Sequence, residues 1–78
     1  MDESLRLVRA MAAHGCRPGV DIQTREVVQW LRESGMDEHD IMIGLVQASV
    51  RKWVVAWTFG TLRITEDGAA AGAEHGPN

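Results

Sequence analysis

At 78 residues the chain has room for one domain, close to the lower size at which a single apolar core suffices. Apolar residues make up 45% and charged residues 24%, a globular balance, and no apolar run approaches the ~18–20 residues of a membrane span. Eleven acidic and eight basic side chains leave a net charge of −3, which lacks the basic excess of most nucleic-acid binders, so any DNA contact must come from local arrangement. Cys16 is the single cysteine and cannot form an internal disulfide, while Asp2 and Glu3 oppose a secretory signal. Together these point to a cytoplasmic protein.

The first helix is predicted over residues 4–14, where Leu5, Val8, Met11 and Ala12 recur at spacings of three and four. Gly15 supplies a left-handed stop, and Pro18 with Gly19 forbids continuation. Val20, Asp21 and Ile22 alternate over a length sufficient only for a bridging strand, a third strand beside a later hairpin. A second helix runs from Thr24 or Arg25 to Glu33, with Thr24 as its cap, Val27, Val28 and Leu31 inward, Trp30 bordering that face, and Gly35 as the stop. Ser34, Gly35 and Met36 then form a connection as short as those of helix-turn-helix pairs.

The third helix starts near residue 38 behind Asp37, whose carboxylate caps it; Glu38 and Asp40 favour the positive end of the helix dipole. Ile41, Leu45 and Ala48, with Met42, Val46, Ser49 and Trp53 on adjoining rows, form one broad apolar face that is expected to be buried. The row expected to face outward is Asp40, Gly44, Gln47 and Arg51. Residues 53–57 and 61–65 are rich in β-branched and aromatic side chains, and Gly60 supplies a positive-φ turn, so a hairpin follows. An even loop gathers Trp53, Val55, Trp57, Leu62 and Ile64 on one face, whereas an odd loop pairs Ala56 with Leu62 and Val54 with Ile64; the even register is expected because it buries more apolar surface. After Thr65 the chain turns to alanine and glycine. Residues 1–68 are therefore read as the domain and residues 69–78 as a flexible Ala/Gly-rich tail.

Helix, short strand, helix, tight turn, helix and hairpin is the element order of winged helix-turn-helix domains. The stretch from Leu45 to Val54 resembles the end of a winged-helix recognition helix passing into the first wing strand. Gly60 to Gly68 resembles the second wing strand, with the leucine/isoleucine-threonine-x-x-glycine ending of many bacterial regulators. The resemblance covers roughly residues 4–68 and implies an α+β, mainly α fold: three helices with a C-terminal β-hairpin. It also implies that residues 37–52 enter the major groove and residues 58–60 form the wing tip.

On that reading Gln47 and Arg51 read base edges, and Arg51, Lys52 and Arg63 meet phosphates. The plainer reading is that Arg51 and Lys52 complement the helix dipole and Arg63 solubilises a sheet face. Asp37, Glu38 and Asp40 stand where phosphates would approach, and repel them. The expected function is a non-enzymatic DNA-binding transcriptional regulator or accessory factor, weak on DNA as an isolated monomer and working as a homodimer or beside a protein partner. The alternative is a small acidic protein–protein adaptor or inhibitor on the same scaffold, contacting its partner through Phe59, Trp30 and the acidic start of the third helix. No nucleophile elbow, phosphate loop or paired Cys/His spacing suggests an enzyme, a cofactor or a metal; His14, Cys16, His39 and His75 lack ligand spacing.

Overall fold

The computed structural model describes residues 2–56 and 60–74. Among these residues, seven elements follow in the order α1 (Glu3–Ala13), β1 (Asp21–Gln23), α2 (Thr24–Glu33), α3 (Glu38–Val50), β2 (Val54–Ala56), β3 (Thr61–Ile64) and α4 (Glu66–Glu74). The class is α+β and mainly helical, as expected, with one helix more than the sequence suggested. The three strands form an antiparallel sheet in the order β1-β3-β2, so the short bridging strand does join the hairpin.

Local chemistry explains where the helices start. Asp2 caps α1: its Oδ1 accepts from the backbone N–H of Ser4 at 3.1 Å and of Leu5 at 3.3 Å. Asp37 caps α3 as expected, accepting from the Asp40 N–H at 2.9 Å. α2 differs, because β1 runs directly into it. Thr24 is its first helical residue rather than its cap, the cap position belongs to Gln23 without a side-chain bond, and the Thr24 N–H donates to the Gly60 carbonyl at 2.7 Å.

The first three helices end in the same way. The N–H groups of Cys16, Met36 and Trp53 reach back to the carbonyls of Met11, Leu31 and Ala48, each across a left-handed residue. That residue is Gly15 in α1 and Gly35 in α2, but Lys52 in α3, at φ 61°. Lys52 holds a conformation that costs a side chain roughly 1–2 kcal/mol.

This closure corrects the expected hairpin register. Trp53 completes the end of α3 instead of opening a strand, so the first paired strand residue is Val54, and every later side chain shifts to the other face. The observed pairs are Val54↔Ile64, Val55↔Arg63 and Ala56↔Leu62. Val54, Leu62 and Ile64 are buried, Val55 faces outward, and Trp53 is half-buried. Trp57, expected in the core, lies outside the described residues.

The tail reading is corrected over residues 69–74, while residues 75–78 lie outside the described residues. Residues 66–74 form α4, capped by Thr65, whose Oγ1 accepts from the Gly68 N–H at 3.0 Å and itself donates to the Lys52 carbonyl at 2.6 Å. Gly68 and Gly72 let α4 lie directly on neighbouring backbone. A Cβ on Gly68 would meet the Trp53 carbonyl oxygen at 2.1 Å, and one on Gly72 would meet the Val8 carbonyl oxygen at 2.7 Å. The anchor is close backbone approach, which needs no large side chain. α1 is thereby central, flanked by α3 and α4 with α2 at its end, and its Ser4, Leu7, Val8 and Met11 are buried.

Candidate interaction surface on α3

No charged residue occurs between Ile41 and Val50, so α3 is apolar on nearly every side and packing alone decides which row turns inward. The inward row is Ile41, Gly44 and Ala48. Gly44 sets the rotation, since a Cβ there would stand 2.9 Å from the Glu3 carbonyl oxygen. The absence of a side chain lets α1 and α3 meet at the backbone, and α3 turns its smallest residues toward that contact.

The opposite row is left uncovered. Met42 is 66% exposed, Val46 57% and Val50 76%. Met42 and Val46 were expected on rows adjoining the buried face, and the row expected outside is instead turned partly toward α1. Gly44 is buried, Asp40 is half-buried, and Arg51 reaches the start of α1. At ~1.5 Å per residue the ridge from Met42 to Val50 is about 12 Å long. Ile43 and Leu45 flank it half-buried, Ser49 lies exposed beside it, Glu38 and His39 stand at its start and Lys52 at its end.

The candidate DNA-contacting cations are held by carboxylates. Arg51 bonds Asp2 through Nη1 and Oδ2 at 2.7 Å, with its guanidinium 4.9 Å from the centre of the Trp53 ring. Asp2 therefore caps one helix and pairs with the end of another; the Ser4 hydroxyl, donating at 2.6 Å, and Arg51 hold its carboxyl down to about 2 against the opposing effect of burial. Arg63 bonds Asp21, directly across the β1–β3 ladder, at 2.9 Å. Arg32 bonds Glu38 at 2.6 Å and ties α2 to the first turn of α3. Gln47 and Lys52 are exposed.

The aromatic candidates fall elsewhere. Trp30 is half-buried, and one face of its ring stacks on His14 with centroids 4.0 Å apart and planes 4° from parallel, which joins α2 to the end of α1. Phe59 lies outside the described residues. Cys16 is half-buried, and burial with nearby Glu26 pushes its thiol up, away from the reactive thiolate. Among the described residues no group of His, Cys, Asp and Glu is placed to hold a metal ion. No helix among them is long and apolar enough to cross a membrane.

The ridge was visible in the sequence as Met42, Val46 and Val50 at intervals of four. Its exposure was not, because Ile41, Leu45 and Ala48 offer a competing row of equal hydropathy. No protein family, curated protein or solved structure matches the chain.

Proposed function

We propose that the chain is a non-enzymatic protein-binding module on a winged helix-turn-helix scaffold, and that it docks a partner protein through the outward ridge of α3. The scaffold reading is supported by the element order α1, β1, α2, α3, β2, β3, which is the order of the resemblance read from the sequence, with α4 added after it. One observation carries the function: Met42, Val46 and Val50 stand in solvent on the helix that winged-helix regulators insert into DNA. This exposed apolar surface, on the order of 300 Å², is the size of the largest patch on many monomers, and such patches are often functional. A groove-binding helix would present cations and hydrogen-bonding side chains.

The DNA reading has less support. Arg51 and Arg63 are neutralised by Asp2 and Asp21, and phosphate contacts made by releasing them would first have to break those pairs. Of the exposed polar groups on or beside α3, which include His39, Gln47, Ser49 and Lys52, Lys52 alone is a lysine or arginine free of the ion pairs described above, too little for appreciable salt-dependent affinity.

A photo-crosslinking residue at position 46, compared with one at exposed Gln29 on α2, tests the proposal in cells expressing the chain. The expected result is a protein adduct from position 46 and none from position 29, with no retardation of duplex DNA by the purified chain at ~50 mM salt. Absence of any adduct from position 46 overturns the reading. So does retardation of DNA that weakens steeply with salt and is lost in Lys52→Ala.

A further inference from the structure

We infer that the occupant of the α3 ridge is a second copy of this chain, packed antiparallel about a two-fold axis through Val46. The inference rests on the protein-binding reading above and names its partner. Two features of the ridge carry it, and a third, its area, limits how strong the pairing is.

The first is spacing. Met42 and Val50 lie four residues either side of Val46, so an antiparallel pairing sets Val46 against Val46 and Met42 against Val50 of the second copy. A two-fold contact requires this kind of self-complementarity.

The second feature is charge. The ridge begins at Glu38, held by Arg32, ends at exposed Lys52, and carries no charge between residues 41 and 50. Antiparallel packing opposes the two helix dipoles and brings Lys52 of the second copy toward Glu38, whose exposed carboxylate would be shared between that lysine and Arg32. Parallel packing would set like beside like.

The third is area. On the order of 300 Å² of ridge per copy is well below the ~800 Å² per partner of a standard stable interface. The pairing is therefore a weak, concentration-dependent one, with a dissociation constant in the micromolar to millimolar range.

Sedimentation equilibrium of the full chain from ~10 μM to ~1 mM tests it, at concentrations chosen to span that range. The mass is expected to rise from 8.6 kDa toward twice that value. Val46→Asp places two carboxylates on the axis and is expected to stay monomeric throughout, with an unchanged circular dichroism melt because Val46 packs little of the core. Lys52→Glu is expected to weaken the pairing roughly threefold to tenfold, two solvent-exposed pairs being reversed, and Glu38→Lys with Lys52→Glu to recover affinity. A wild-type chain that stays monomeric at ~1 mM, or a Val46→Asp chain that associates as the wild type does, overturns self-pairing. The crosslink at position 46 separates the two failures. An adduct of twice the chain mass supports self-pairing. An adduct with a different protein alone overturns self-pairing and leaves the module reading standing, while no adduct removes both.

Discussion

α1 is amphipathic and α3 is apolar on nearly every side, and the fold treats them oppositely. α1 has α3 on one side, α4 on another and α2 at its end, and Leu7, Val8 and Met11 are wholly buried. α3 packs its inner row on α1 and has no helix among the described residues over Met42, Val46 and Val50. The difference arises because α4 comes back over α1, drawn there by Gly68 and Gly72, which permit backbone contact. An apolar period shows that a helix has a packing face; which of two apolar rows is covered depends on where the remaining chain goes.

Substitutions on the two helices give the widest contrast. Leu7→Ala in α1 removes a fully buried side chain and is expected to lower stability by about 3 kcal/mol in urea unfolding, whereas Val46→Ala on the α3 ridge stays within about 0.5 kcal/mol. A comparable loss at both sites would erase the distinction between them.

Covering α1 with α4 has its own signature. Gly68→Ala is expected to destabilise by about 2 kcal/mol although alanine is the better helix former, because the new Cβ meets the Trp53 carbonyl oxygen at 2.1 Å and backbone must move. A neutral or stabilising outcome would mean that α4 does not lie against α3's end as described.

Asp2 links the two helices electrostatically. Its carboxyl is lowered from 3.8 to about 2, so the stabilisation is present above pH 4 and is lost as the pH falls from about 4 to about 2. The side chain is about one-third exposed, and solvent screening reduces the contribution to about 1 kcal/mol. Asp2→Asn should remove that acid-dependent portion from unfolding curves measured between pH 2 and pH 6. A smaller change is expected at the end of α3. Lys52→Gly relieves the left-handed strain while loosening the unfolded chain, for a net gain of about 0.5 kcal/mol.

These same residues show how much was legible in advance. Asp37 before Glu38 and Asp40 marked the start of α3, Gly15 and Gly35 marked the ends of α1 and α2, and the alternation at Val20 to Ile22 marked the third strand. Each signal is local, a side chain acting on backbone a few residues away. The hairpin register failed because its parity depends on Lys52, and lysine carries no sign that it will take a glycine conformation. α4 was missed because tails and closely packed helices share a small-residue composition; the capping signal of Thr65 followed by Glu66 and Asp67 was there to be read. Of the candidate site, Arg51, Lys52 and Arg63 were found as residues, but their state was not. The partners of Arg51 and Arg63 lie 49 and 42 positions away in the chain, beyond any local pattern.

The most direct test of a bare α3 ridge compares the methionines. In the native chain at low micromolar concentration, dilute peroxide is expected to oxidise Met42, 66% exposed, at least ~10-fold faster than Met11 and Met36, which are buried and react only when the fold opens. If Met42 is instead as protected as Met11 and Met36, the chain itself covers the ridge, and the account of α3 as a docking surface is wrong.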